Sequence, residues 1–356
     1  MNFPLTFLES QTRFRVAAVR AGAELKSYPI LARGQAGETL SIDTAYLGTR
    51  TPQRAIVVMS GVHGIEGFAG SAIQTELLSR SINLSPRDGV LFIHGVNPWG
   101  MSWWRRANEN NVDLNRNWQD FDQVLPPNEP YVQVHDLLCP SGPELPDPTD
   151  FLIPIGTYIE SKGIGWVRSA IAAGQYTHPH GLYYGGFKRE PSTIQLAQAA
   201  TDYVSGATDL LILDMHTGFG PYATHTIISP TVSDTRESTW LTNAFGAENV
   251  RPVPTNLQSG IKPKRGRLAH GLIKMLAPQN GIAAAVEIGT RNETRLLLAE
   301  RAEHWVHQHG IRTNPEHWAA IWEHRVCWTP DDLDWEDFTL DHGDRVFDEA
   351  LAAMFS

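Results

Sequence analysis

The stretch Ile56–Gln74, IVVMSGVHGIEGFAGSAIQ, decides how this chain is read. It begins as a buried strand and then meets glycine at Gly61, Gly64, Gly67 and Gly70. His63 and Glu66 stand alone between the first three glycines. Glycine lets the backbone turn sharply there. A histidine and a carboxylate at the end of a core strand are costly unless something pairs with them. The segment therefore predicts a strand, a tight polar turn and a helix, with chemistry placed at the turn.

Other segments repeat the pattern. Arg54–Ser60, Gly89–Val96, Thr208–Met215 and Gly281–Ile288 are short apolar runs of strand type. Helical spacing follows in Gly70–Arg80, Ser192–Val204 and Thr294–His307, the last behind a capping-box pattern, Thr290-x-x-Glu293. Unbroken apolar strands alternating with helices predict an α/β chain with a mostly parallel sheet covered on both faces. Residues 1–356 are expected to form a single catalytic domain, and the proline-rich Leu125–Pro154 reads as a loop insertion in it.

Composition excludes several classes. A hydrophobic content of 42% with 19% charged residues describes an ordinary globular protein. A net charge of −10 argues against nucleic acid. The short basic run Lys262–Arg267, KPKRGR, reads as a solvated loop rather than an anion site. Two cysteines, Cys139 and Cys327, make no disulfide framework. Without a visible signal peptide or apolar span, the expectation is a cytoplasmic protein that binds no membrane.

Polar groups fall where open α/β sheets keep their sites, beyond the carboxyl ends of the strands. His63 and Glu66 follow the first run, Asn97-Pro98 the second, Asp214-Met215-His216 close the third, and Glu287 ends the fourth. Two imidazoles and a carboxylate form a zinc ligand set that keeps one position open. His63, Glu66 and His216 suit that set, and Glu287 suits a general base that does not bind the metal. Asp214, two residues before His216, shares its strand face and could hold it. His225 is the substitute for His216 as third ligand. His178 and His180 read as loop residues, and His304 and His307 as helix-end residues. No Gly-x-Ser-x-Gly elbow, P-loop or dinucleotide fingerprint occurs. In Asn97–Trp118, Arg106, Asn115 and Arg116 offer an anion-binding cluster.

With these motifs in order, GVHGIEG, NPWG, RANENNVDLNRN, DMHTG and VEIGT, the sequence resembles the zinc carboxypeptidase superfamily. Gly174–Gly186, GQYTHPHGLYYGG, with the overall layout, resembles a bacterial branch that is also similar to the aspartoacylase and succinylglutamate desuccinylase group. The resemblance implies a mixed, twisted sheet of about eight strands sandwiched by helices. It implies one zinc ion held by His63, Glu66 and His216, with Asp113 orienting His63. It further implies Arg106 as the oxyanion-stabilising arginine, Glu287 as the catalytic glutamate, and Asn115 with Arg116 as the carboxylate-holding pair. The substrate implied is a small peptide cut beside its free carboxylate, or an N-acyl amino acid. A binding module that grips carboxylates without turnover is the non-enzymatic alternative. Tyr183, Tyr184 and Tyr222 all remain open as the family's substrate-closing tyrosine.

Overall fold

The structure, a computed structural model, describes residues 3–229, 235–251 and 265–356. Its centre is an eight-stranded mixed sheet in the order β1-β2-β4-β3-β5-β8-β6-β7. The strands are β1 (Glu24–Arg33), β2 (Thr39–Gly48), β3 (Arg54–Ser60), β4 (Asp88–His94), β5 (Asp209–Thr217), β6 (His225–Ile228), β7 (Val250–Arg251) and β8 (Asn280–Ile288). β4, β3, β5 and β8 run parallel at the centre, while β2 closes on β4 and β6 on β8 in antiparallel fashion. The four runs read from the sequence are these four central strands.

They were readable because both faces are covered. Val57, Met59, Leu91, Ile93, Leu210 and Ile212 pack on one side. That side is covered by α7 (Pro191–Val204) and α9 (Leu268–Leu276). Ile56, Val58, Val90, Phe92, Leu211 and Leu213 pack on the other. There α1 (Phe7–Arg20), α2 (Gly67–Ser79) and α12 (Leu333–Phe355) lie over them. Each fully buried aliphatic side chain contributes about 1.5–3 kcal/mol. In the four central strands polar residues therefore fall toward the strand ends.

Two expectations change. Leu125–Pro154 is not one long loop: α4 (Glu129–Leu138) and the start of α5 (Thr149–Lys162) lie in it. The prolines do not prevent this, because Pro130 occupies the first turn of α4, where no N–H is needed. With α6 (Ile164–Ala172) these helices form a separate small core around Tyr131, Phe151 and Val167. The helix α10 (Glu293–His309) is capped by Asn292, whose side chain accepts the Arg295 N–H at 2.9 Å. Thr290 lies outside that cap, because the helix begins later than the box pattern required. Lys262–Lys264 of the basic run fall outside the described residues.

The central sheet also buries a neutral histidine. His94 ends β4, stacked on Phe14 of α1 at 4.6 Å. Its Nε2 lies 3.0 Å from Ser10 Oγ and 2.9 Å from Ser71 Oγ. Burial pushes its pKa down to about 4 from an ordinary 6.5. The unfolded chain therefore takes up this proton first. The stability it confers is intact above about pH 6.5 and is lost as pH falls toward 4. At about 1.4 kcal/mol per pKa unit the loss is about 3 kcal/mol. Urea unfolding between pH 7 and 4 should show a shallower acid decline in His94→Gln than in the parent. An identical decline would remove His94 from the account.

Candidate active site

The turn after β3 is held by an adjoining segment of chain. Gly64–Glu66 form a single 3-10 turn, and Glu66 immediately precedes α2. The Ile65 N–H donates to Arg105 O at 2.9 Å and the Gly64 N–H to Arg106 O at 3.3 Å. Asn97 supports the same strand of contacts. Its Oδ1 caps α3 (Pro98–Trp103) through the Gly100 N–H at 2.9 Å, and its Nδ2 donates to Arg106 O at 3.1 Å. Gly64 and Gly100 make this possible, because a Cβ on Gly64 would lie 2.1 Å from the Gly100 carbonyl carbon. The sequence NPWG thus carries Arg106 to the side of Glu66.

His63, Glu66 and His216 converge, with one candidate ligand atom from each inside a 4.8 Å group. His63 Nδ1 lies 2.8 Å from Glu66 Oε1, and His216 Nδ1 lies 2.8 Å from Glu66 Oε2. His63 Nδ1 is buried and has no hydrogen-bond partner despite that proximity, as a nitrogen shaped for an ion would be. The opposite ring nitrogens meet aspartates: His63 Nε2 lies 3.1 Å from Asp113 Oδ1 and His216 Nε2 lies 2.8 Å from Asp214 Oδ2. Such carboxylates fix imidazole tautomers and orient them toward a metal. The donor set, two imidazoles and a carboxylate, fits zinc.

His225, the substitute ligand, lies elsewhere, its ring tilted against that of His342 with centroids 4.9 Å apart. His304 is buried inside the protein, with Nε2 2.8 Å from His180 O and its pKa pushed down by burial to about 3. It is no exposed helix-end residue.

Glu287 sits directly beside His216 in the β5–β8 register, so both side chains leave the same face of the sheet. Its Oε2 accepts the Phe219 N–H at 3.4 Å. Arg106 Nη1 donates to Glu66 Oε1 at 2.8 Å, and its Nη2 lies 2.9 Å from His63 Nε2. Its guanidinium is flanked by Trp328 at 5.3 Å and Tyr183 at 5.7 Å. Burial opposes the charge on Arg106, but Asp113, Glu300 and Glu66 outweigh it and hold its pKa above the ordinary value. For Asp113, burial is likewise outweighed by Arg116, His63 and Arg106, which keep its carboxyl well below the usual range.

All these residues except Asp113 line one cavity of about 380 Å³, together with Asn115, Arg116 and Arg267. Arg116 is 2% exposed, and its Nη1 and Nη2 donate to Asn115 O at 2.8 Å and Ala172 O at 2.7 Å. Tyr183 is the tyrosine at the cavity, donating to Glu300 Oε2 at 2.9 Å. Tyr184 is buried in the core, and Tyr222 donates to Asp332 at 2.5 Å outside the cavity lining.

Glu300 and Arg267 were missed. Glu300 reads as one more charge on an amphipathic helix, yet it is buried 3.6 Å from Arg106 Nε. Burial raises its pKa, with Arg106 acting the other way. Arg267 belongs to the basic run expected to be solvated, and instead lines the cavity.

The chain belongs to the family described as "Protein of unknown function (DUF2817)", which matches residues 3–342. No curated protein matches it. Among solved structures it is similar to a metallo-carboxypeptidase from Burkholderia cenocepacia, with 14% identity over 84% of this chain and 68% of that one and a TM-score of 0.42. A murein-tripeptide amidase from Escherichia coli O157 shows 17% identity over 86% and 93% of the two chains, with a TM-score of 0.37. The succinylglutamate desuccinylase from Chromobacterium violaceum shows 14% identity over 90% and 74%, with a TM-score of 0.38. Likenesses this distant carry no argument about chemistry, which rests on the site itself.

The aspartates give a direct test. Asp113→Asn and Asp214→Asn should each weaken zinc binding about 10- to 100-fold, measured by chelator competition, with circular dichroism unchanged. Unaltered affinity in both variants would show that these carboxylates serve the fold alone.

Proposed function

We propose that the protein is a zinc-dependent hydrolase that cleaves an amide bond beside a free carboxylate. The observation that carries this reading is the convergence of His63, Glu66 and His216 at a cavity that Glu287 and Arg106 also line. Zinc, held by His63, Glu66 and His216, would acidify water and polarise a carbonyl.

The chain's own residues would do the rest. Glu287 takes the proton of the attacking water and returns it to the departing nitrogen, so a single carboxylate serves as base and then acid. Arg106 supplies fixed positive charge where the carbonyl oxygen becomes negative. Its place between Trp328 and Tyr183 limits how far it must reorganise. The wall built from Asn115 and Arg116 faces the substrate's carboxylate end. The substrate is a short peptide or an N-acyl amino acid.

The cavity volume, about 380 Å³, suits a small molecule and keeps N-acyl amino acid deacylation as the second reading. No helix among the described residues is long and apolar enough to cross a membrane.

Elemental analysis after zinc loading and desalting should find about one zinc per chain in the parent and none in His216→Ala. Glu287→Gln should keep the zinc and lose at least about 100-fold in kcat, the scale of general acid–base catalysis. A fully active Glu287→Gln would sink the assignment. Ligand binding by the zinc-loaded parent without any product would point to a binding module instead. Blocked dipeptides run beside N-acetyl and N-succinyl amino acids would separate peptidase from deacylase.

A further inference from the structure

We propose that Arg267, with the side-chain amide of Asn115, grips the carboxylate of the substrate, and that Arg116 serves behind them as a positioning residue. The proposal rests on the hydrolase reading above and names the residue that would select its substrate class, acyl amines whose leaving group carries a free carboxylate.

Arg116 is poorly placed to grip an anion. A guanidinium holds a carboxylate with two parallel N–H groups. In Arg116 each terminal nitrogen already donates one N–H to a backbone carbonyl, of Asn115 at 2.8 Å and Ala172 at 2.7 Å, and these two bonds fix the guanidinium against the chain. Its stem is walled in as well, since a Cβ on Gly174 would lie 2.6 Å from Arg116 Cδ. These contacts anchor α6 to the Asn115–Arg116 turn.

Arg267 is the opposite case. It lines the cavity, half-buried, and its guanidinium has no hydrogen bond or ion pair with any of the described residues. Its backbone is nonetheless fixed on both sides. Gly266 O accepts the Trp118 N–H at 3.0 Å, and the Leu268 N–H donates to Asn115 Oδ1 at 3.1 Å. Gly266 has φ of +74°, and a Cβ there would lie 2.3 Å from Arg116 O, so the chain is pressed onto the Arg116 backbone. The second contact also spends the Asn115 oxygen and leaves its Nδ2 group as the donor on a cavity-lining residue.

A half-buried cation beside a like charge is unfavourable unless an anion joins it. Burial and the neighbouring Arg116 push the Arg267 pKa down to about 10, while Glu287 and Asp214 act the other way. An arriving carboxylate would complete the site. Ala283 and Ala285, before Glu287 on β8, line the same cavity and leave room beside it.

The test compares zinc-loaded parent, Arg267→Gln and Arg267→Lys. Each is given a panel of N-acetyl dipeptides and of N-acetyl and N-succinyl amino acids, varied at the last residue, as free acids and as C-terminal amides. Turnover is measured beside calorimetric binding of the free amino acid products. The preference of the parent for acid over amide should fall roughly 100-fold in Arg267→Gln and return in part in Arg267→Lys. Product binding should weaken in parallel while zinc content stays the same. A full acid preference in Arg267→Gln would overturn the assignment and leave the hydrolase reading standing. An equal loss on acids and amides would also overturn it, placing Arg267 in the service of Glu287. A parent that neither cleaves nor binds any member of the panel would overturn the hydrolase reading and this assignment together.

Discussion

The carboxylate of Glu66 is the tie on which the site depends. It is 2% exposed, and its contacts reach its own turn, the loop after α3 and the end of β5. Oε1 accepts from Arg106 and faces His63, while Oε2 faces His216 and lies 3.2 Å from the Thr217 N–H. The ends of β3 and β5 and the loop after α3 are joined through this one group. An apolar residue there would take one buried partner each from Arg106, the two imidazoles and the Thr217 N–H, and a buried polar group left unsatisfied costs about 1–3 kcal/mol. Burial works against its charge, and His63 and His216 outweigh that and hold its carboxyl well below the usual range.

Around this tie, opposite charges are spaced so that none is left deep and alone. Asp113 reaches His63 and lies 3.5 Å from Arg106 Nε; Asp214 reaches His216; Glu300 takes the Tyr183 hydroxyl. Burial opposes a charge on His216, but Asp214 and Glu66 outweigh it and raise its pKa well above the ordinary value. Surroundings that favour positive charge at His216 also favour a bound cation. The guanidinium of Arg106 and the carboxylate of Glu287 then stand on the rim where a carbonyl and a water can meet.

Much of this was legible in the sequence, for a physical reason. Strands covered on both faces must be apolar throughout, so His63, Glu66, His216 and Glu287 stood out at their ends, and the structure places all four at one cavity. Asp214 was visible too, because residues two apart on a strand share a face. Glu300 was hidden, since a helix face carrying several carboxylates does not reveal which one turns inward. Arg267 was hidden by composition: a cluster of basic residues looks solvated until the fold presses the neighbouring Gly266 against the Arg116 backbone. The helices within Leu125–Pro154 were masked by prolines, of which Pro130 falls in the first turn of α4 and Pro154 inside α5.

One element spans the division between the metal cradle and the small core of α4–α6. Along α10, Glu293 pairs with Arg168 of α6 at 3.0 Å, Leu296 and Leu297 line the cavity, Glu300 lies near Arg106, and Glu303 holds Arg105 at 3.0 Å. Arg301 of the same helix donates to Leu137 O of α4 at 2.7 Å. The helix thus packs on both the buried His63–Glu66–His216 side of the cavity and the small core of α4–α6. Arg168, Ile171 and Ala172 of α6 line the cavity, so its outline is set partly by a helix that carries none of the three converging ligand atoms.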